Sequence, residues 1–325
     1  MRETNMYQHS SGAISILFTA ALALVSSCGA LGTELGEGQA FSSPQAAGDA
    51  LVNALKKSDA DALEKILGKG SGPLLTSGDP VMDREQRERF VSAYDLQHSW
   101  IAWSEGVAVL ETGENGWPFP IPLLEGEGGW RFDTAEGAGE LLNRRIGRNE
   151  LDTIQACLAF VDAEREYYLR NPRNRATPEY ARFILSSAGE KNGLYWETSK
   201  DEGPSPLGAL YAAARSEGYS PAQGVVKPFH GYLYRVLHAQ GANAPGGARN
   251  YMEGGVMTGG FALIASPAKY GASGVMTFLV DQIGLVYQKD LGPKTEKIAA
   301  AVETFDPDDT WTLIPAESLT LPATD

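Results

Sequence analysis

Residues 275–289, VMTFLVDQIGLVYQK, carry the strongest structural signal in the chain. Two runs rich in β-branched and aromatic residues, 275–280 and 285–289, flank the segment Asp281-Gln282-Ile283-Gly284. Strand-forming runs that are separated by a short segment containing glycine predict a β-hairpin. The C-terminal half of the chain is therefore expected to contain an antiparallel sheet.

A helix is predicted upstream of this hairpin. Leu151, Ile154, Leu158 and Val161 recur with the spacing of one helix face, which predicts an amphipathic helix from 149 to about 169. A closing helix is expected to begin at Pro293 and to end near 301. Further strand signals lie at 231–237 and 260–265, with a candidate edge strand at 311–314.

The N-terminal half has helix signals followed by strand signals. Ser42 or Ser43 is a predicted cap for a helix with Pro44 in its first turn, and Asp59 is a predicted cap for a second helix. This order is typical of an α+β cone, in which an antiparallel sheet wraps around a helix. The third helix is expected at 83–96, and the strands are expected at 100–103, 107–112, 118–124 and 130–133.

The chain begins with a candidate targeting segment. Residues 13–25, AISILFTAALALV, are uncharged and too few to span a bilayer, as in the apolar region of a signal peptide. Val25-Ser26-Ser27-Cys28 resembles a bacterial lipobox, in which the cysteine thiol carries a diacylglycerol after cleavage. The alternatives are an ordinary cleaved signal in which Cys28 is incidental, or a retained N-terminal helix.

Composition excludes several classes of protein. The 325 residues include 27 Lys and Arg against 41 Asp and Glu, and the net charge of −14 argues against a nucleic-acid-binding protein, which needs a basic face. Only Cys28 and Cys157 are cysteines, so cleavage and acylation at Cys28 would leave no intrachain disulfide. Cys157 lies on the apolar stripe of the predicted helix, where a thiol usually packs as a small apolar group.

Common catalytic and metal-binding patterns are absent from the sequence. It contains no G-x-S-x-G elbow, no phosphate-binding G-x-x-x-x-G-K-[ST] loop, no H-E-x-x-H pair and no strand-linked G-x-G-x-x-G. His230 and His238 lie eight residues apart on one predicted strand, or about 26 Å, which is too far for a shared metal. We therefore expect no metal and no cofactor.

Several residues are candidates for binding. Arg144, Arg145 and Arg148 stand close together in an acidic chain, and they would either bind an anion or clamp the two halves through Arg–carboxylate pairs, the interpretation that we favour. Trp117 belongs to an aromatic-rich sheet and would either line a ligand pocket or fill the core, and we favour the core.

Two further pairs complete the candidate residues. His230 and Tyr232 are predicted to project from one strand face, either toward a glycan, peptide or protein partner or into packing beneath the preceding loop, which we favour. Asp95 and His98 lie about one turn apart at the end of the third helix and could share a proton as an acid–base pair. The simpler interpretation of that pair is His98 placed against the helix dipole.

Five runs carry a resemblance to a known family. They are Trp117 to Pro122 (WPFPIP), Asn143 to Glu150 (NRRIGRNE), Phe229-His230-Gly231-Tyr232, Gly260 to Ala265 (GFALIA) and Tyr287 to Gly292 (YQKDLG). Together they resemble the uncharacterised bacterial domain of unknown function 2950 over about 41–314. The second half is also similar to the globular head of a type IV pilin-like protein. The first half is similar to the nuclear-transport-factor-2-like (SnoaL-like) superfamily.

These patterns and resemblances imply an α+β fold. The N-terminal part is expected to be a helix-then-antiparallel-sheet cone, and the C-terminal part a helix-plus-antiparallel-sheet domain similar to a pilin head. The predicted organisation is a signal peptide at 1–27, a flexible tether at 28–40, the cone at 41–133, a basic connecting segment at 134–148, the pilin-head-like domain at 149–318 and a tail at 319–325.

The sequence favours a non-catalytic cell-envelope lipoprotein that acts as a binding or assembly module. Acyl chains on Cys28 would hold it on the lipid bilayer, and an envelope protein or a glycan is the expected partner. Gly29, rather than an aspartate, follows Cys28, which favours the periplasm-facing side of the outer membrane. A secreted or periplasmic protein is the alternative location. The alternative function is an enzyme or small-ligand carrier that uses a cone pocket with Asp95 and His98.

Overall fold

The computed structural model describes residues 37–199, 201–219 and 227–315. The described chain combines α-helices with mainly antiparallel sheets, which confirms the predicted α+β class. The proposed leader, Cys28 and the tail at 319–325 lie outside the described residues. Among the described helices, none is both long and apolar enough to cross a membrane.

The N-terminal part has four helices and a five-stranded sheet. The sheet has the order β1-β2-β4-β5, and β3 pairs with β2 at its side. The helices are α1 (Pro44–Lys57), α2 (Ala60–Leu67), α3 (Gly72–Leu75) and α4 (Pro80–Leu96), and the strands are β1 (His98–Ser104), β2 (Val107–Thr112), β3 (Trp117–Pro118), β4 (Leu123–Gly126) and β5 (Gly129–Phe132).

Local cap chemistry sets the starts of these helices. The Ser43 side chain accepts from Ala46 N, and the Asp59 side chain accepts from Ala62 N, which confirms both predicted caps. Helix α4 begins earlier than predicted because Asp79 caps it and Pro80 occupies its first position. The small helix α3 was not predicted, since four residues are too few to show a periodic pattern.

The end of the predicted tether is held against this sheet. Phe41 exchanges two backbone hydrogen bonds of 2.8 Å with Trp130, and Gln39 N donates to Lys65 O at 2.9 Å. Arg131 Nε donates to Gly38 O at 3.1 Å. Residues 38–41 are therefore fixed by hydrogen bonds, and a flexible tether would have to end before them.

Helix α5 (Thr134–Arg170) runs through the predicted connecting segment. A helix beginning at 149 was expected, but Asp133 caps this helix fifteen residues earlier by accepting from Glu136 N at 3.3 Å. Gly137 lowers the helix signal there, yet it is required by packing. A Cβ on Gly137 would lie 2.5 Å from Ile121 Cα, so only glycine lets α5 approach the chain so closely.

The C-terminal part is built on a second five-stranded sheet with the order β16-β15-β14-β13-β8. Its central hairpin is the predicted one, and it pairs Phe278 with Gln288 and Val280 with Val286. The strands of this part are β6 (Phe183–Leu185), β7 (Gly193–Tyr195), β8 (Tyr232–Leu237), β9 (Ala239–Gln240), β10 (Arg249–Asn250), β11 (Met252–Glu253), β12 (Val256–Met257), β13 (Ala262–Pro267), β14 (Met276–Asp281), β15 (Val286–Asp290) and β16 (Thr312–Leu313), and the helices are α6 (Gly208–Glu217) and α7 (Thr295–Ala301).

Two hydrophobic clusters fill the molecule. The first uses α1, α2, α4 and the first sheet, with Leu110, Ile121 and Leu123 fully buried. The second packs α5 on the second sheet, with Phe278 and Tyr167 at its centre. Helix α5 contributes residues to both clusters, Leu141 to the first and Phe160 to the second. The division into domains at 133 and 149 stays a prediction.

A buried aspartate joins the start of α4 to the C-terminal part. The Asp79 carboxylate has no exposed surface. Its Oδ1 accepts from Val81 N and Met82 N, at 3.1 and 3.3 Å. Its Oδ2 accepts from Tyr219 Oη at 2.8 Å and from Gly231 N at 2.9 Å. One side chain therefore satisfies two donors in the first turn of α4 and two donors from the C-terminal part of the chain.

Replacing this carboxylate tests its role. Asp79→Ala leaves two helix N–H groups, one phenol and one loop N–H without their acceptor, so we expect a loss of about 3–5 kcal/mol in the free energy of unfolding. The matched control is Asp59→Ala, because Asp59 is also an aspartate N-cap but is exposed, and its loss should cost about 1 kcal/mol. Urea unfolding of both variants measures the difference. Equal losses would contradict the role given to Asp79.

Candidate functional site

A cavity of about 350 Å³ lies between α4, the N-terminal half of α5 and the first sheet. Its inner surface is apolar, with leucines from α1, α2 and α3 and with Phe90, Phe119 and Ile121. This volume is at the lower end of the range of small-molecule sites, about 300–1,000 Å³. We call it the arginine cavity, because five arginines line it: Arg87, Arg89, Arg144, Arg145 and Arg148.

Carboxylates neutralise these arginines only in part, since Arg89 lies 3.3 Å from Glu85 Oε1 and Arg144 lies 2.6 Å from Glu140 Oε1. Asp83 is the acidic residue among the described lining residues. Its carboxylate is engaged elsewhere, since it accepts from Ser77 N and Ser77 Oγ and from Thr76 Oγ1. Arg87 and Arg148 form no ion pair with any described residue. The cavity therefore combines an apolar interior with an excess of positive charge.

Arg145 has a guanidinium nitrogen that is fully buried. Its Nη1 donates to Pro73 O at 2.9 Å and its Nη2 to Leu74 O. Its Nε is buried and has no hydrogen-bond partner among the described residues. Burial lowers the pKa of this guanidinium, and the charge of Asp83 opposes the shift. One donor of this buried guanidinium is therefore unsatisfied by the described residues, which is energetically costly.

Trp117 and Arg144 form the edge of the same cavity. The Arg144 guanidinium lies 5.0 Å from the centre of the Trp117 ring, a cation–π contact, and its Nε is 2.6 Å from Glu140 Oε1. The sequence favoured a place in the core for Trp117. The side chain is 40% exposed, so its ring is accessible at the cavity edge. The structure therefore brings Trp117, Arg144 and Arg145 together at one site.

The contacts of these arginines differ from the clamp favoured by the sequence. Arg144 pairs with Glu140, one turn earlier on its own helix, and Arg145 binds main-chain carbonyls of α3. Neither contact is an Arg–carboxylate pair between the two halves. The sequence could not show this, because the carbonyls of Pro73 and Leu74 carry no signature in the side-chain pattern.

Asp95 and His98 have separate partners. Asp95 lies at the exposed end of α4, and its carboxylate is 2.8 Å from Lys56 Nζ. The His98 ring stacks on Tyr94 at 3.8 Å, and its Nδ1 is 2.8 Å from Tyr94 O. Neither residue lines the arginine cavity. The described contacts thus do not join the two side chains as an acid–base pair.

His230 and Tyr232 do not share a strand face. Strand β8 begins at Tyr232, and His230 precedes it with a φ of 49°. Tyr232 is fully buried, with its hydroxyl donating to Met276 O at 2.9 Å. His230 lies between two carboxylates, 3.6 Å from Asp152 and 3.8 Å from Glu217. Burial raises the pKa of the Glu217 carboxyl, and the nearby His230 opposes that shift.

The described residues contain no group of three or more His, Cys, Asp or Glu side chains placed to hold a metal ion. Cys157 is fully buried in α5, and burial raises the pKa of its thiol to about 12. Glu164, on the same helix, is also fully buried and accepts from Ala181 N at 2.8 Å, and burial raises its pKa well above the usual range. Cys157 belongs to the second cluster, and neither group lines the arginine cavity.

The fold and this site define an α+β protein with an apolar, arginine-lined cavity. Comparison with protein families identifies the chain further. It matches the model described as "Protein of unknown function (DUF2950)" over residues 38–314, so the chain belongs to that family. Comparisons with curated proteins and with solved structures found no match. The resemblances to pilin-like heads and to the SnoaL-like superfamily stay predictions.

The burial of Cys157 makes a chemical prediction. In a Cys28→Ser variant, Cys157 is the remaining thiol of the sequence. We expect a disulfide reagent at about pH 8 to modify it at least about a hundredfold more slowly in the native protein than in guanidinium chloride, because the folded thiol is both inaccessible and protonated. Absorbance of the released thiolate measures both rates. Equal rates would show that Cys157 is open to reagents in the native state.

Proposed function

We propose that this protein is a non-catalytic binding module of the cell envelope that holds an anionic amphiphile in the arginine cavity. The observation that carries the proposal is the buried Nε of Arg145, which faces no acceptor among the described residues at a site with four further arginines. A ligand with a carboxylate or phosphate would supply that acceptor, and an apolar body would cover the inner surface.

The positive charge of the arginine cavity contrasts with the negative charge of the whole chain. The protein carries a net charge of −14, so its general field repels anions. Anion binding therefore requires a local concentration of positive charge, and Arg144, Arg145 and Arg148 provide it within one and a half turns of α5. The rigid helix also fixes the spacing of the guanidinium groups, which lowers the entropy lost on binding.

The proposal includes the lipoprotein anchor expected from the sequence. Cys28 directly follows the apolar leader and two small residues, and the described chain starts nine residues later. Acylation at Cys28 would place the binding module beside a lipid bilayer, where anionic amphiphiles are concentrated. The proposal does not require covalent chemistry at the cavity.

Ligand binding can be measured with dodecanoate as the probe. We expect the full-length protein to bind dodecanoate, with quenching or enhancement of tryptophan fluorescence because Trp117 lies at the cavity edge. The double variant Arg144→Gln and Arg148→Gln should bind at least about tenfold more weakly, a loss of about 1.4 kcal/mol. Arg165→Gln is the matched control, since Arg165 lies on the same helix but does not line the cavity.

Two outcomes would contradict this assignment. Dodecanol binding as tightly as dodecanoate would show that the arginines contribute nothing to recognition. Equal affinity of the double variant and the wild type would place the ligand elsewhere.

The anchor has its own test. Cells grown with labelled palmitate should yield labelled wild-type protein in the membrane fraction, whereas Cys28→Ala should be unlabelled and released from the membrane. Electrophoresis with detection of the label measures the first result, and fractionation measures the second. Unlabelled wild-type protein in the soluble fraction would remove the anchor from the proposal and leave the cavity assignment standing.

A further inference from the structure

A second cavity of about 720 Å³ lies in the C-terminal part. It is lined by strand β8, by strand β6 and by helix α6, and most of its lining side chains are apolar or aromatic. We call it the β8 slot. It has about twice the volume of the arginine cavity, and none of the residues that line one also lines the other. Its occupant is therefore a separate question from the ligand proposed above.

The β8 slot exposes a short length of unpaired strand edge. Strand β8 is the last strand of its sheet and pairs only with β13 among the described strands. Ala268 N donates to Gly231 O, so the backbone groups of Gly231 point toward the chain of β13. In an antiparallel pair the direction of the backbone N–H and C=O groups alternates along the strand, so those of residues 233, 235 and 237 also face β13. The N–H and C=O groups of Tyr234 and Val236 face the other way.

Both ends of this edge are already paired. Phe229 exchanges two backbone hydrogen bonds with Tyr232, at 2.9 and 3.0 Å, and Tyr251 N donates to His238 O at 2.9 Å. Between them, the described chain offers no backbone partner to Tyr234 or to Val236. The gap is therefore two outward-facing residues long, with four backbone groups available for pairing. That length matches a short extended peptide.

The charges that line the slot are positive. Arg182, Arg215, Lys227 and Arg235 line it, and no carboxylate is among the described lining residues. Arg215 is paired with Glu197 at 2.9 Å, and Arg235 donates to the carbonyls of Ala299 and Val302. Arg182 Nη1 donates to Gly255 O at 3.4 Å, but its Nε is buried without a partner in the described chain. A carboxylate that enters the slot would supply the acceptor that Arg182 Nε lacks.

We infer that the β8 slot binds one extended, acidic segment of a partner protein as an added strand on β8. Main-chain hydrogen bonds to Tyr234 and Val236 would hold the segment. Alternate apolar side chains would enter the cavity between β8 and α6, and a carboxylate would pair with Arg182. The positive lining of the slot favours an acidic segment over a neutral or basic one.

The probe is a fluorescein-labelled hexapeptide of alternating valine and glutamate, and fluorescence anisotropy with the full-length protein measures its affinity. We expect it to bind at least tenfold more tightly than the hexapeptide of alternating valine and lysine. We also expect at least a tenfold loss when alternate backbone nitrogens of the valine–glutamate peptide are methylated. Methylation removes the donors of a β-strand and keeps the side chains, so it separates strand pairing from insertion of an apolar chain.

Proline substitution tests the protein side of the same contact. Val236→Pro removes an outward N–H without removing a bond to β13, and it should weaken peptide binding at least tenfold. Leu313→Pro is the matched control at the opposite edge of the sheet. Ile314 N donates to Val286 O, so Leu313 N–H also faces outward, and Leu313 lies outside the slot. Its affinity should stay within threefold of wild type.

Arg182→Gln keeps the inference testable if Val236→Pro does not fold. This variant should lose the preference for glutamate over lysine in the peptide. The inference is overturned if the valine–glutamate peptide does not bind, if the methylated peptide binds equally well, or if the lysine peptide matches the glutamate peptide. Equal binding of the methylated peptide would indicate a site for apolar chains such as lipids.

Discussion

The hydrogen bonds of the buried Asp79 carboxylate connect the two parts of the molecule. They join the first turn of α4 to Tyr219, just beyond α6, and to Gly231, just before β8. Burial and the neighbouring Asp79 raise the pKa of the Tyr219 phenol, so this group stays protonated and remains a donor. The position of β8, and with it the edge that borders the larger cavity, therefore depends on a residue far away in the sequence.

Helix α5 is the structural element common to both cavities. Arg145 lines the first and Ala156 lines the second, about 17 Å further along the same helix. A single continuous helix holds these two surfaces at a fixed separation. The two cavities also share a chemical principle, because each contains one arginine, Arg145 or Arg182, whose Nε is buried without a partner among the described residues. Such groups are costly unless an acceptor arrives.

The sequence predicted the elements whose signals are local. The hairpin around Asp281, the caps at Ser43 and Asp59, and the closing helix all follow from residues within a few positions of one another. The N-terminal half of α5 was missed because it has glycines and arginines where an apolar stripe is expected. Helix α6 was missed because Pro204, Pro206 and Gly208 surround its start and indicate a loop.

The candidate site was predictable in its residues but not in its contacts. Trp117, Arg144 and Arg145 were singled out from residue type and from the cluster of charge. Their juxtaposition depends on pairings between distant segments, such as Arg145 with carbonyls more than 70 positions away. Whether a guanidinium nitrogen lacks a partner is likewise set by packing. The acid–base pair at Asp95 and His98 was suggested by spacing alone, and each side chain contacts a different neighbour.

The pairing of Phe41 with Trp130 has a mechanical consequence. Tension applied to the chain at its N-terminal side first reaches the hydrogen bonds of residues 38–41, which are the Gly38–Arg131 bond, the Gln39–Lys65 bond and the two-bond bridge between Phe41 and Trp130. These bonds pass the load into the edge strand β5 and into helix α2. Helix α2 contributes Leu63 and Leu67 to the first cavity, so tension at this end of the chain acts on an element that lines it.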